Sequence, residues 1–108
     1  MVRLISVALL LIAALNASAQ VRSLAGFGAS SCREYLDLRA RNEQMADTLA
    51  VFWLQGFLSG FNGARAAYAR IDPTHIPESE ELLRRMDSIC RADPSEPIFK
   101  GAMQLLRR

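Results

Sequence analysis

Leu82, Leu83, Met86, Ile89 and Cys90 fall at i, i+1, i+4, i+7 and i+8, a spacing that gathers side chains on one face of an α-helix. It predicts a helix over 77–92. Pro77 suits a first helical turn, and Glu78, Glu80 and Glu81 suit the positive end of the helix dipole. Asp93-Pro94 stops it, because a residue before proline avoids the α region. Beyond it, Ser95 is the expected cap of a further helix with Pro97 in its first turn. Ile98, Phe99, Ala102, Met103, Leu105 and Leu106 would form its inner side, with Arg107 and Arg108 at its end. Upstream, Ser31 and Glu34 have capping-box spacing. Cys32, Tyr35 and Leu36, with Leu38, give the following helix a short apolar face, and the period fades near Ala40. A long helix is expected over 45–69, with a nearly unbroken apolar run from Leu49 to Phe61. No stretch alternates with the period of two that a half-buried strand needs. The pattern predicts an all-α domain of about four helices spanning 31–108.

The first 19 residues read differently. Arg3 is a positive n-region, Leu4 to Leu15 form an apolar stretch broken only by Ser6, and Ala17-Ser18-Ala19 is a small-x-small cleavage site. A stretch of about 12 residues is too short to cross about 30 Å of hydrocarbon. The reading is a cleaved signal peptide over 1–19, an exported mature chain beginning at Gln20, and no membrane span in that chain. The small, weakly polar residues of 20–30, with Gly26 and Gly28, read as a flexible arm.

Export changes the meaning of the cysteines. Removing 19 residues from 108 leaves 89, one small domain with a limited core. The only two cysteines, Cys32 and Cys90, both lie in the mature part. An even count in an oxidising compartment reads as a disulfide, the alternative being two buried free thiols. Closing that loop should stabilise the domain by about 4 kcal/mol in the chain-entropy model. Two cysteines and one histidine at scattered positions do not make a metal ligand set.

The most distinctive segment is Trp53 to Asn62. Glycine costs about 1 kcal/mol in a helix interior relative to alanine, so Gly56, Gly60 and Gly63 on one helix need a reason. Close packing of another helix against Gly56 and Gly60 is the favoured expectation, and it would make Gly60→Leu destabilising. The other is a partner-binding groove lined by Trp53, Phe57 and Asn62. Gln55, Ser59 and Asn62 share one face, as a buried polar network or as a solvated edge.

Little here suggests catalysis. His75, the single histidine, sits in a proline-bounded connection next to no nucleophile motif, and a general base needs a partner in reach. The glycines lack the Lys-Ser/Thr that would complete a phosphate loop. The balance of 13 basic and 11 acidic residues, with no basic run in the mature part, does not suit a nucleic-acid surface. The expectation is no enzyme, with a small enzyme built around His75 as the weakest alternative, and no cofactor and no metal.

The order of features is signal peptide, Ser31-Cys32-x-x-Tyr35-Leu36, Trp53-x-x-Gly56-Phe57-x-Ser59-Gly60-x-Asn62, then Ile89-Cys90-x-x-x-Pro94 and a short final helix. It resembles the HdeA/HdeB-like group of small periplasmic helical proteins, and is similar to the small immunity proteins, of the Rap/Tai kind, that neutralise type VI secretion effectors. The resemblance covers about Ser31 to Leu106. It implies a disulfide-stapled helical domain in the periplasm that binds another protein, with a homodimer as a candidate state. The partner would be an unfolding client, for an acid-stress chaperone, or a secreted effector, for an immunity protein.

Overall fold

The computed structural model describes residues 24–107. The expected signal peptide, 1–19, and the first residues of the expected arm, 20–23, lie outside the described residues. Four α-helices follow a short 3-10 turn at Gly26–Ala29: α1 Cys32–Arg41, α2 Glu43–Ala69, α3 Ser79–Ala92 and α4 Ile98–Gln104. The all-α expectation holds, and among the described residues there is no strand beyond one isolated bridge, Ser31 with Pro97.

Both arms of the capping box start α1: the Glu34 amide donates to Ser31 Oγ, and the Ser31 amide to the Glu34 carboxylate, each at 3.1 Å. The next two free amides of that helix end are also satisfied. Cys32 donates to the Glu96 carbonyl and Arg33 to the Pro94 carbonyl, both at 2.8 Å, and Ile98 returns a bond to the Ser30 carbonyl at 2.8 Å. A helix N-terminus leaves several donors without intrahelical partners; here the turn between α3 and α4 supplies acceptors. The Cys32–Cys90 disulfide closes the same junction, with the two Cα atoms 4.9 Å apart.

Only Asn42 separates α1 from α2. Its amide donates to the Leu38 carbonyl at 2.7 Å, and its side chain accepts from the Met45 amide at 3.1 Å. One residue thus ends one helix and caps the next, so α2 starts two residues earlier than its apolar period. At the other end Arg70 adopts the left-handed conformation, φ 51° and ψ 38°, a role usually given to glycine.

The core is built from Cys32 and Tyr35 of α1, Ala46, Ala50, Leu54 and Leu58 of α2, Leu82, Met86 and Cys90 of α3, and Ile98, Ala102 and Leu105 at the C-terminal end. Ala46 and Ala50 are fully buried. Close helix approach therefore occurs at these alanines, not at the glycines. A Cβ added at Gly56, Gly60 or Gly63 would meet nothing within 4 Å. The expected packing of a helix against Gly56 and Gly60 is absent, and with it the overpacking reason for Gly60→Leu to destabilise. The reason is angular: Leu54 and Leu58 turn inward, and the glycines two residues away from each point outward.

Three smaller expectations also change. The arm is structured from Gly26 onward: Phe27 meets Tyr35 edge-on with centroids 5.7 Å apart, and Gly28 is buried against the Trp53 indole. The third helix starts at Ser79, with Glu78 and not Pro77 at its edge. Ser95 does not cap α4; its hydroxyl donates to Asp93 Oδ1 at 2.6 Å within the preceding turn, and Pro97 sits just before the helix. α4 is also shorter than its apolar pattern, ending at Gln104 before Arg107.

Candidate functional site

The Trp53 to Asn62 segment turns through almost three turns of α2, and its side chains part company. Trp53 and Phe57 pack against the core and stack on each other with centroids 5.0 Å apart. Asn62 faces the connection between α2 and α3. Its amide nitrogen donates to the Thr74 carbonyl at 2.8 Å and its oxygen accepts from the Thr74 amide at 2.9 Å. Arg65 adds a bond to the Thr74 hydroxyl at 3.1 Å, and Gln55 reaches Ser79 Oγ at 3.3 Å. Gln55 and Asn62 are thus connector clamps. Ser59 is exposed, as are Gly56 and Gly60. The groove expected from Trp53, Phe57 and Asn62 together does not form, because Trp53 and Phe57 share one side of the helix and Asn62 lies on another.

What the outward side does carry is apolar. Met45, Leu49 and Phe52 lie at i, i+4 and i+7, and they are 51%, 44% and 71% exposed. The stripe continues through Gly56, Gly60, Gly63 and Ala67, all exposed. α2 has only three charged residues, and each is engaged within the chain. Glu43 and Asp47 take hydrogen bonds from Arg39, and Arg65 bonds Thr74. Along 27 residues the outward face has no charge. A shallow groove of about 360 Å³ runs beside it, lined by Gln44, Asp47, Thr48, Val51, Phe52 and Leu83. Within the apolar run, the six residues Leu49 to Leu54 divide between core and surface, with Ala50 and Leu54 buried and Leu49 and Phe52 exposed. Six consecutive residues circle a helix more than once, so some had to face out; the second apolar period, 45/49/52, was the available signal.

A second feature missed from sequence is a polar cluster joining three helices. Arg39 of α1 donates from Nε to Asp47 Oδ1 of α2 at 2.9 Å and from Nη1 to Asp87 Oδ1 of α3 at 2.8 Å. Glu43 lies 3.4 Å from Nη2. Arg91 donates to the other Asp87 oxygen at 2.8 Å. The hydrogen bond from Arg91 holds the Asp87 carboxyl below its ordinary range; the Arg39 charge helps, against partial burial. Burial pushes the Tyr35 phenol up to about 12, so it stays protonated; Asp47, 3.5 Å from its hydroxyl, acts in the same direction.

His75 is exposed in the connection. Glu81, one of the three carboxylates at the start of α3, accepts from Arg84 and Arg85, whose hydrogen bonds lower its pKa. Among the described residues no three His, Cys, Asp or Glu side chains converge as a metal site, and no helix is long and apolar enough to cross a membrane. Comparison with known protein families, characterised proteins and solved structures finds no match to the chain.

Proposed function

We propose that the chain is an exported, non-enzymatic protein-binding module of the periplasm, needing no cofactor, whose binding surface is the uncharged outward face of α2. One observation carries the reading: Met45, Leu49 and Phe52 stand exposed in a row on a helix whose every charge is engaged within the chain. Contiguous exposed apolar surface marks interaction sites in soluble proteins. The Cys32–Cys90 disulfide supports an oxidising compartment.

The favoured form is an acid-stress chaperone of HdeA-like kind. The Arg39 cluster supports it, because carboxylates on α2 and α3 hold one guanidinium of α1 across the helix junctions. Loss of the Asp87 charge in acid removes its attraction to Arg39 just as the chain gains positive charge, and self-repulsion loosens the packing around the α2 face. Purified mature protein should suppress aggregation of an unfolding client at about pH 2–3, where carboxyls are protonated. Failure to do so, or a domain still rigidly folded there, overturns the chaperone form.

The junction of disulfide and backbone hydrogen bonds that ties α1 to the α3–α4 turn favours a second reading. A scaffold so fixed suits one permanent partner, as an immunity protein has in its secreted effector. A toxin gene beside this one, with tight neutral-pH binding of its product, would support that form over the chaperone.

A further inference from the structure

The outward face of α2 is lopsided. Its N-terminal half is bulky, with Met45, Leu49 and Phe52. Its C-terminal half is nearly bare, with Gly60, Gly63 and Ala67, and among the described residues nothing lies within 4 Å of a Cβ added at the glycines. The two halves match in spacing about Gly56. Phe52 stands as far before it as Gly60 stands after, Leu49 as far as Gly63, and Met45 as far as Ala67. A face with bumps and hollows at mirrored positions is complementary to itself turned end for end, which is the arrangement a two-fold axis produces.

We infer that this face pairs with a second copy of the chain, antiparallel, with the axis near Gly56 and Phe52 seated in the hollow over the partner's Gly60. The inference rests on the reading of this face as the binding surface and names its resting partner. Leu49 then lies over the partner's Gly63 and Met45 over the partner's Ala67. Missing side chains at the glycines let the two helices approach closely without forcing any rotamer.

Charge and area fit a second copy. No charge is buried, since the face has none. The antiparallel arrangement opposes the two helix dipoles and brings exposed Arg70 to the end of the partner helix, where Glu43 has a 69% exposed side chain. A 27-residue helix is about 40 Å long and about 10 Å across. The face is thus roughly 400 Å² in projection. Side-chain relief raises the accessible area further toward the ~800 Å² per partner of a standard interface. A dimer of micromolar affinity is the expected result.

The test uses mature, disulfide-intact protein with no other protein present. Sedimentation equilibrium at about 100 µM should show a dimer. Gly60→Phe fills the hollow, and a Cβ there meets nothing within 4 Å among the described residues, so it should keep its helical content and weaken dimerisation at least about tenfold. Adding Phe52→Ala to Gly60→Phe moves the bump to the mirrored position and should restore the dimer. Gly56→Cys should cross-link to itself on oxidation and Ala67→Cys should not, because antiparallel helices hold the two copies of residue 67 far apart. A monomer at that concentration, an unchanged dimer in Gly60→Phe, or self-cross-linking through Ala67→Cys overturns the pairing. Those results are separate from client binding, where a normal dimer that holds no client would count against the proposed function and not against the pairing.

Discussion

Arg39 and Asp87, 48 residues apart in sequence, meet with a 2.8 Å hydrogen bond between Nη1 and Oδ1. The bond joins α1 to α3, and Asp47 of α2 shares the same guanidinium. The Asp87 carboxyl lies below its ordinary range, so it binds its proton less readily in the folded chain than in the unfolded one. Its contribution to stability is therefore full above the unfolded carboxyl pKa, near ~4, and is lost as pH falls through the depressed folded value.

Stability measured by urea unfolding should then be nearly level from neutral pH down to about 5, and should fall below about 4. Asp87→Asn should lower stability at neutral pH and flatten the acid slope, because the group that titrates is gone. An acid slope as steep in Asp87→Asn as in the parent would show that other carboxylates drive the acid response.

Asn62 holds the connection between α2 and α3 through two hydrogen bonds to Thr74. Asn62→Ala should cost about 1–3 kcal/mol, the range for removing partly buried hydrogen-bond partners. Amide exchange at Thr74 should accelerate more than exchange in α4. Equal protection at Thr74 in both proteins would mean that other contacts hold the connection.

Gly28 lies against the six-membered ring of Trp53, where any Cβ would collide with the indole. Gly28→Val should displace Trp53 from Phe57, shift its fluorescence toward the red, and destabilise by about 1–3 kcal/mol through overpacking. An unshifted spectrum would place the 3-10 turn elsewhere.

Arg70 ends α2 in the left-handed conformation, where a side chain costs roughly 1–2 kcal/mol and glycine does not. Arg70→Gly should therefore leave stability unchanged or raise it by up to about 1 kcal/mol in thermal unfolding, after allowance for the greater freedom of glycine in the unfolded chain. A clear loss would assign Arg70 a side-chain role outweighing that strain.

The helices were legible because each carries a local signal. Ser31 with Glu34 marked the start of α1, and Leu82, Met86 and Cys90 marked the inner face of α3. The disulfide was legible because only two cysteines exist. The outward face of α2 was not, since the same run of apolar residues serves the core through Leu54 and the surface through Phe52. Which of two apolar periods is covered depends on where α1 and α3 dock, and that is a tertiary fact. The Arg39 cluster was hidden for the same reason: its members are 8 and 48 residues apart in sequence. The glycines misled because they can signal close packing or an open surface, and their spacing is the same in both cases.

The central claim is that the uncharged face of α2 binds proteins, and Phe52 is its most exposed member at 71%. The most direct measurement is light scattering of an acid-unfolded client at about pH 2–3 in the presence of mature protein or its Phe52→Arg variant, since arginine stays charged at any such pH. The substitution lies on the surface, so folding at neutral pH should be unaffected, as circular dichroism can verify. The expected result is suppression of aggregation by the parent and loss of most of that suppression in Phe52→Arg. Suppression of equal strength by both proteins would contradict the claim.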